Sequence, residues 1–191
     1  CAPTMKAPVD CASRLPSSAS ASAVSVASFR TTDTHVTFPD GALVAAAMCL
    51  LDPGDEIIFA DPYFVLYPPL AQMTGAKAVL CDTYPDFKLT AARVAPLITP
   101  RTKIVLLNSP GNPTGVVMST KECRELAALC KEKGVLLISD EIYDEFTYDD
   151  AREASTVAGS SGRRVCPSPG RFPGASEGVL VVRGFGKTYG V

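Results

Sequence analysis

Apolar residues in this chain come in short runs divided by polar turns, and the runs alternate between a helical and an extended period. Residues 41–51 (Gly-Ala-Leu-Val-Ala-Ala-Ala-Met-Cys-Leu-Leu) are apolar nearly all round and rich in Ala and Leu, which predicts a buried helix. Asp52-Pro-Gly-Asp55 reads as a turn and residues 56–59 as a strand. Asp61-Pro-Tyr-Phe-Val-Leu-Tyr67 is expected to open a second helix. Pro68 and Pro69 would fall in its first turn, where amide donors are unpaired anyway. Gly75 ends it, and residues 77–81 form the next strand. A short helix over 90–98, limited by Pro96, leads to a strand at 103–107.

Asn108-Ser-Pro-Gly-Asn-Pro-Thr-Gly115 follows, too rich in proline and glycine for regular structure, so it is a fixed loop at a strand's carboxyl end. Residues 119–133 carry the strongest helical signal. Ser119 and Glu122 have capping-box spacing, Cys123, Leu126, Ala127 and Cys130 share one face, and Lys131 and Lys133 suit the negative end. A strand at 135–139 runs into Asp140-Glu141. Residues 149–177 are a polar, Gly/Pro/Ser-rich insertion, expected to be exposed, and Val179–Val182 is the last strand.

Strands alternating with helices imply parallel βαβ units. The near-continuous apolar strands agree, because a parallel sheet is buried on both faces. The fold class is therefore α/β, an αβα sandwich around a mostly parallel sheet. Ligands of such sheets bind at the carboxyl ends of the strands. Three chemical groups stand there: Asn112, Asp140 and Lys187. Lys187 follows a buried strand through Gly184 and Gly186. A lysine at that mouth is expected to be partly desolvated, which frees its amine as a nucleophile or base. Gly186-Lys187-Thr188 is not the tail of a phosphate-binding P-loop. That motif needs a glycine six residues before the lysine, and Val181 stands there.

With 191 residues, 47% of them hydrophobic, the chain can bury one sizeable core. A formal net charge of −2 steers it to neither nucleic acid nor membranes. The seven cysteines include no CxxC pair, and Cys49, Cys81, Cys123 and Cys130 lie in apolar segments as small core residues. Reduced thiols point to a cytoplasmic protein. His35 is the only histidine, which argues against histidine triads and histidine-rich metal sites. Residues 1–35 read as a disordered or leader-like segment. Arg14 and Arg30 with a single acid, Asp10, before residue 33 leave organelle targeting open. The chain opens on Cys1 and stops soon after its last strand, so it is expected to be incomplete at both ends.

Asn112-Pro-Thr-Gly115, Ser139-Asp-Glu-Ile-Tyr143 and Gly184-Phe-Gly-Lys-Thr-Tyr189, in this order and spacing, resemble the three signatures of the class I/II aminotransferases, with Asp52-Pro-Gly-Asp55 upstream. The resemblance covers residues 36–191. It implies part of the large cofactor domain of fold type I enzymes, with pyridoxal 5′-phosphate as cofactor, amino acid and 2-oxo acid substrates, and a homodimer in the full-length form. In that reading Lys187 bonds covalently to the cofactor aldehyde and shuttles the substrate proton. Asp140 pairs with the pyridine nitrogen and keeps the ring an electron sink. Asn112 and Tyr143 hydrogen-bond the ring's phenolic oxygen, Phe64 stacks on the ring, and the Asn112–Pro113 bond is cis. The same cofactor chemistry also serves a C–S lyase or an ACC-synthase-like cyclisation.

Two departures stand against full function. The family's Ser/Thr-Gly-rich phosphate turn reads Thr37-Phe-Pro-Asp-Gly41 here. Pro39 lacks an amide hydrogen and Asp40 repels a phosphate. Gly186 replaces a serine that often touches the phosphate in the family. Weak cofactor binding, or a non-catalytic remnant, is the resulting expectation.

Overall fold

Strand after strand of the main sheet is apolar on both faces, and both faces are covered by helices. The computed structural model describes residues 39–154, 162–172 and 175–190. The leader-like segment 1–35, with His35, lies outside the described residues. In chain order the elements are α1 (Pro39–Leu50), β1 (Glu56–Asp61), α2 (Tyr67–Thr74), β2 (Lys77–Asp82), α3 (Ala91–Val94), β3 (Thr102–Asn108), α4 (Thr120–Lys133), β4 (Leu136–Asp140), β5 (Glu153–Ala154), β6 (Arg164–Val165), β7 (Val179–Val182) and α5 (Phe185–Thr188).

The main sheet has the order β2-β1-β3-β4-β7, every neighbouring pair parallel. Its two faces separate by residue parity, as a pleated strand requires. Ile57, Phe59, Ile104, Leu106, Ile138 and Val182 pack with Leu43, Ala46 and Ala47 of α1 and Tyr67 and Leu70 of α2. Ile58, Val105, Leu107 and Leu137 pack on the other side with Val94 of α3 and Cys123, Leu126 and Cys130 of α4. The expected αβα sandwich is thus the observed one. Among the described residues no helix is long and apolar enough to cross a membrane.

Local chemistry explains the helix ends. Ser119 Oγ accepts from the Glu122 amide, and the Glu122 carboxylate accepts from the Ser119 amide at 2.8 Å, so the predicted capping box is formed. Gly134, at φ 66°, closes α4 by donating to the Cys130 and Lys131 carbonyls. The second helix differs from expectation. Asp61–Leu66 does not open it; Asp61 ends β1, and α2 begins at Tyr67 with Pro68 and Pro69 in its first turn. The residue before a proline disfavours helical backbone, which holds Asp61, before Pro62, in the strand.

Two burial expectations are also corrected. The first helix is buried along one stripe only; Met48 is 66% exposed and Cys49 lies on the surface. A helix lying on a sheet covers one side of itself, whatever its composition. The insertion is not simply exposed. Its described parts form the β5–β6 hairpin, and Val165, Cys166 and Ser168 are buried. Arg124 of α4 lies over the Phe172 ring, 4.9 Å from its centroid.

At the amino end of β1, Glu56 is buried and holds charge. Its carboxylate accepts from Thr99 Oγ1 at 2.5 Å and from Arg101 at 3.2 Å, with Lys77 at 3.8 Å. The Thr99 hydroxyl, then Arg101 and Lys77, hold its carboxyl below the usual range against the opposing effect of burial. A depressed folded-state value contributes stability above the unfolded value, lost as pH falls through the folded one. Glu56→Gln is expected to lower the melting temperature by a few degrees at neutral pH. In paired thermal melts that difference should close at pH below about 4, where the wild-type carboxylate protonates as well.

Candidate active site

The order in which strands are added reverses at β1. From there the chain passes out to β2, then returns across to β3 on the other side. A crevice outside the carboxyl ends of the strands is expected at such a switch point. A narrow cleft lies there, walled by Ala60, Pro62, Tyr67, Leu107, Asn108 and Asn112 among others.

Register places the next groups. Asn108, Asp140 and Val182 are aligned across β3, β4 and β7. The Asn108 side chain bridges a strand end and a loop: its Nδ2 donates to the Asp140 carbonyl at 3.1 Å and its Oδ1 accepts from the Asn112 amide at 2.7 Å. The loop bearing Asn112 is thereby tied to the strand bearing Asp140. The Asn112–Pro113 bond is cis, as the resemblance implied.

Asp140 is 4% exposed. Its Oδ2 accepts from the Tyr67 hydroxyl at 2.9 Å and its Oδ1 from the Ile142 amide at 3.3 Å. Among the described residues no cation is paired with it. Burial pushes its carboxyl above the usual carboxylate range; Tyr67 and Ile142 oppose this, and the charges of Asp40 and Glu141 add to it. Burial and then the Asp140 charge raise the Tyr67 phenol far above its ordinary value, so Tyr67 is a fixed donor. Tyr67 was not singled out from the sequence. The available signal was a tyrosine in an apolar helix start, since a buried phenol finds a partner.

Lys187 sits on α5, and its Nζ lies 5.8 Å from the centroid of the Tyr143 ring. It is exposed, contrary to the expected partial desolvation. The strand before it is half-buried at the sheet edge and four residues long, too small a wall to cover the amine. Tyr143 also meets Phe146 edge-on, with centroids 6.3 Å apart. Phe64 is half-buried and meets the Tyr67 ring edge-on at 5.8 Å. The structure therefore brings Asn112 and Asp140 together through Asn108, joins Lys187 to Tyr143, and sets Phe64 beside Tyr67.

The profile of the aminotransferase class I and II family matches residues 25–191. The chain belongs to the class I and II aminotransferases. Among its relatives, the probable N-acetyl-LL-diaminopimelate aminotransferase of Bacillus subtilis is 47% identical over 109 residues, 56% of this chain and 28% of that one. The aspartate aminotransferase of Rhizobium meliloti is 36% identical over 162 residues, 81% of this chain and 36% of that one. Among solved structures, an aromatic aminotransferase from Pyrococcus horikoshii superposes with a TM-score of 0.71 at 31% identity, covering 81% of this chain and 38% of that one. A double mutant of Thermus thermophilus aspartate aminotransferase gives 0.67 at 36% identity, with 81% and 37% covered. The chain spans about a third of the length of such relatives. Its sheet is the aminotransferase fold in part.

Class I and II aminotransferases generally use pyridoxal phosphate, and the fit of this site to that group is uneven. A buried carboxylate that, among the described residues, is paired with no cation suits a protonated ring nitrogen. The phosphate end is less suited, because Asp40 opens α1 with a negative charge close enough to perturb both Asp140 and Tyr67. A raised carboxyl contributes stability only below the unfolded value and loses it as pH rises through the folded one. Asp140→Asn is thus expected to raise the melting temperature of the cofactor-free chain by a few degrees at neutral pH, with the gain disappearing at pH below about 4. Melts of both proteins across that range test it.

Proposed function

We propose that this chain is the cofactor-binding part of an aminotransferase that moves an amino group from an amino acid to a 2-oxo acid, working as a homodimer at full length. The observation that carries the reading is the buried Asp140 carboxylate, held by Tyr67 in register beside the Asn108–Asn112 bridge and, among the described residues, paired with no cation. When bound, pyridoxal phosphate supplies a ring that accepts the electron pair released from the substrate Cα.

The residues of the chain divide the remaining work. Asp140 would stay ionised and accept from the protonated ring nitrogen as its charge partner, which would offset the cost of burying the carboxylate. Tyr67 and the Ile142 amide fix both Asp140 oxygens, so the carboxylate need not reorganise. Asn112 and Tyr143 would donate to the cofactor's phenolic oxygen, and Phe64 would stack on its ring. Lys187 would hold the cofactor through its amine and would move the proton at the substrate Cα. Asp40 at the start of α1 favours a second reading, a non-catalytic remnant, because it opposes a phosphate there.

Incubation with pyridoxal phosphate, borohydride reduction and peptide mass analysis separate the two. Saturable trapping at Lys187 in preference to Lys77, Lys103 and Lys121, reduced at least about tenfold in Asp140→Asn, is the expected outcome. Equal trapping at all lysines would sink the cofactor assignment. Keto acid with a new amino acid, rather than pyruvate with ammonia, distinguishes transamination from the elimination that a C–S lyase performs.

A further inference from the structure

Glu141, next to Asp140, is a second buried carboxylate at the strand end, and the reading above gives it no task. It is 1% exposed. Its Oε1 accepts from Ser139 Oγ at 2.9 Å and from Ser168 Oγ at 2.5 Å. Its Oε2 accepts from Arg183 Nε at 3.1 Å and Nη2 at 2.6 Å. Four donors from three separate segments converge on one side chain. Arg183 also reaches Asp144 at 3.4 Å.

The place of Arg183 in the chain gives this network its meaning. It follows Val182, which is aligned with Asp140, and precedes Gly184, the residue just before α5. The Glu141 amide donates to the Val182 carbonyl at 2.9 Å, so backbone and side chain pin the same corner. Lys187, the third residue of α5, lies over Tyr143. The corner thus rests at both ends on one short stretch, residues 140–144.

We propose that Arg183 is a positioning residue: by its fork on Glu141 it holds the β7–α5 corner, and with it Lys187, against the strand end that carries Asp140. The inference rests on the aminotransferase reading for its purpose, and on the Glu141 geometry for its substance. A planar guanidinium fixes both the direction and the distance of its partner, which a lysine's point charge does not.

The pair also has an electrostatic side. Asp140 is faced by Tyr67 from α2, Asp40 from α1 and Glu141 from its own strand end, and its Glu141 neighbour already works against ionisation. Glu141 is faced by Ser139, Ser168 and Arg183, and its charge helps raise the Cys123 and Cys166 thiols. Arg183 is the cation that balances Glu141 in this group. Without it an unbalanced buried charge stands beside Asp140.

The test uses Arg183→Met, Glu141→Gln and the double variant, each checked for folding by circular dichroism. Two readouts are taken: the Asp140 carboxyl titration in cofactor-free protein by carbon-13 NMR, and the pyridoxal phosphate concentration for half-maximal trapping at Lys187. Arg183→Met should move the Asp140 midpoint upward and raise the half-maximal concentration about tenfold. The double variant should return the midpoint toward wild type, because the uncharged amide introduced by Glu141→Gln no longer needs a cation. A purely structural role predicts damage that accumulates in the double variant with no return of the midpoint, and that result overturns the proposal. An unchanged midpoint in Arg183→Met overturns it equally. If wild-type protein shows no preferential trapping, the functional reading fails while the titration still decides the role of Arg183. If Arg183→Met does not fold, Arg183→Lys takes its place. It keeps the charge and loses the fork, and should hold the midpoint while raising the half-maximal concentration; no change in either overturns the proposal.

Discussion

Parallel pairing in register is the constraint on which the site depends. Asn108, Asp140 and Val182 belong to three strands remote in sequence, yet the ladder sets them side by side. A slip of one residue would send every side chain of a strand to the opposite face. The slip is opposed by both faces at once, since Ile104, Leu106 and Ile138 fill one core and Val105, Leu107 and Leu137 the other. The hydrophobic layers therefore specify where the carboxamide and carboxylate stand, without touching any ligand.

The sheet has a chemical polarity. At the amino end of β1, Glu56 is surrounded by Thr99, Arg101 and Lys77 and is held ionised. At the carboxyl end of β4, Asp140 has hydroxyl and amide donors but, among the described residues, no cation. The first arrangement contributes stability at neutral pH; the second costs it. An imbalance of this kind at a carboxyl edge is what a site waiting for a cationic group should carry, because a group already satisfied has little left to offer a ligand. Asp40 at the opening of α1 intensifies the same imbalance.

Most of the fold was legible in the residues. Strand positions followed from apolar runs, α4 from its capping box and Gly134, and the class from the alternation of elements. The motifs containing Asn112, Asp140, Tyr143 and Lys187 could be read because each combines polar residues with turn-forming ones at a strand end. What could not be read depends on partners distant in the chain. Asp61 stays in β1 because of Pro62 and a neighbouring strand, whereas composition alone favoured a helix. Met48 and Cys49 are apolar yet exposed, since geometry, not hydropathy, decides which stripe of α1 meets the sheet. The bond from Tyr67 to Asp140 spans 73 residues, and no local pattern announces it.

Among the described residues, β7 pairs with β4 alone, through the four aligned positions Val179–Val182, and its outer edge has no neighbour. Interior strands such as β3 are flanked on both sides, so freeing one breaks two ladders, while releasing β7 breaks one. Local opening follows the cheapest rupture. Amide protons on β7 and α5 should then exchange with solvent ahead of those on β1 and β3. The segment that bears the amine thus lies at one of the sheet's two edges, where beyond a single four-residue ladder the Arg183 fork on Glu141 ties it down.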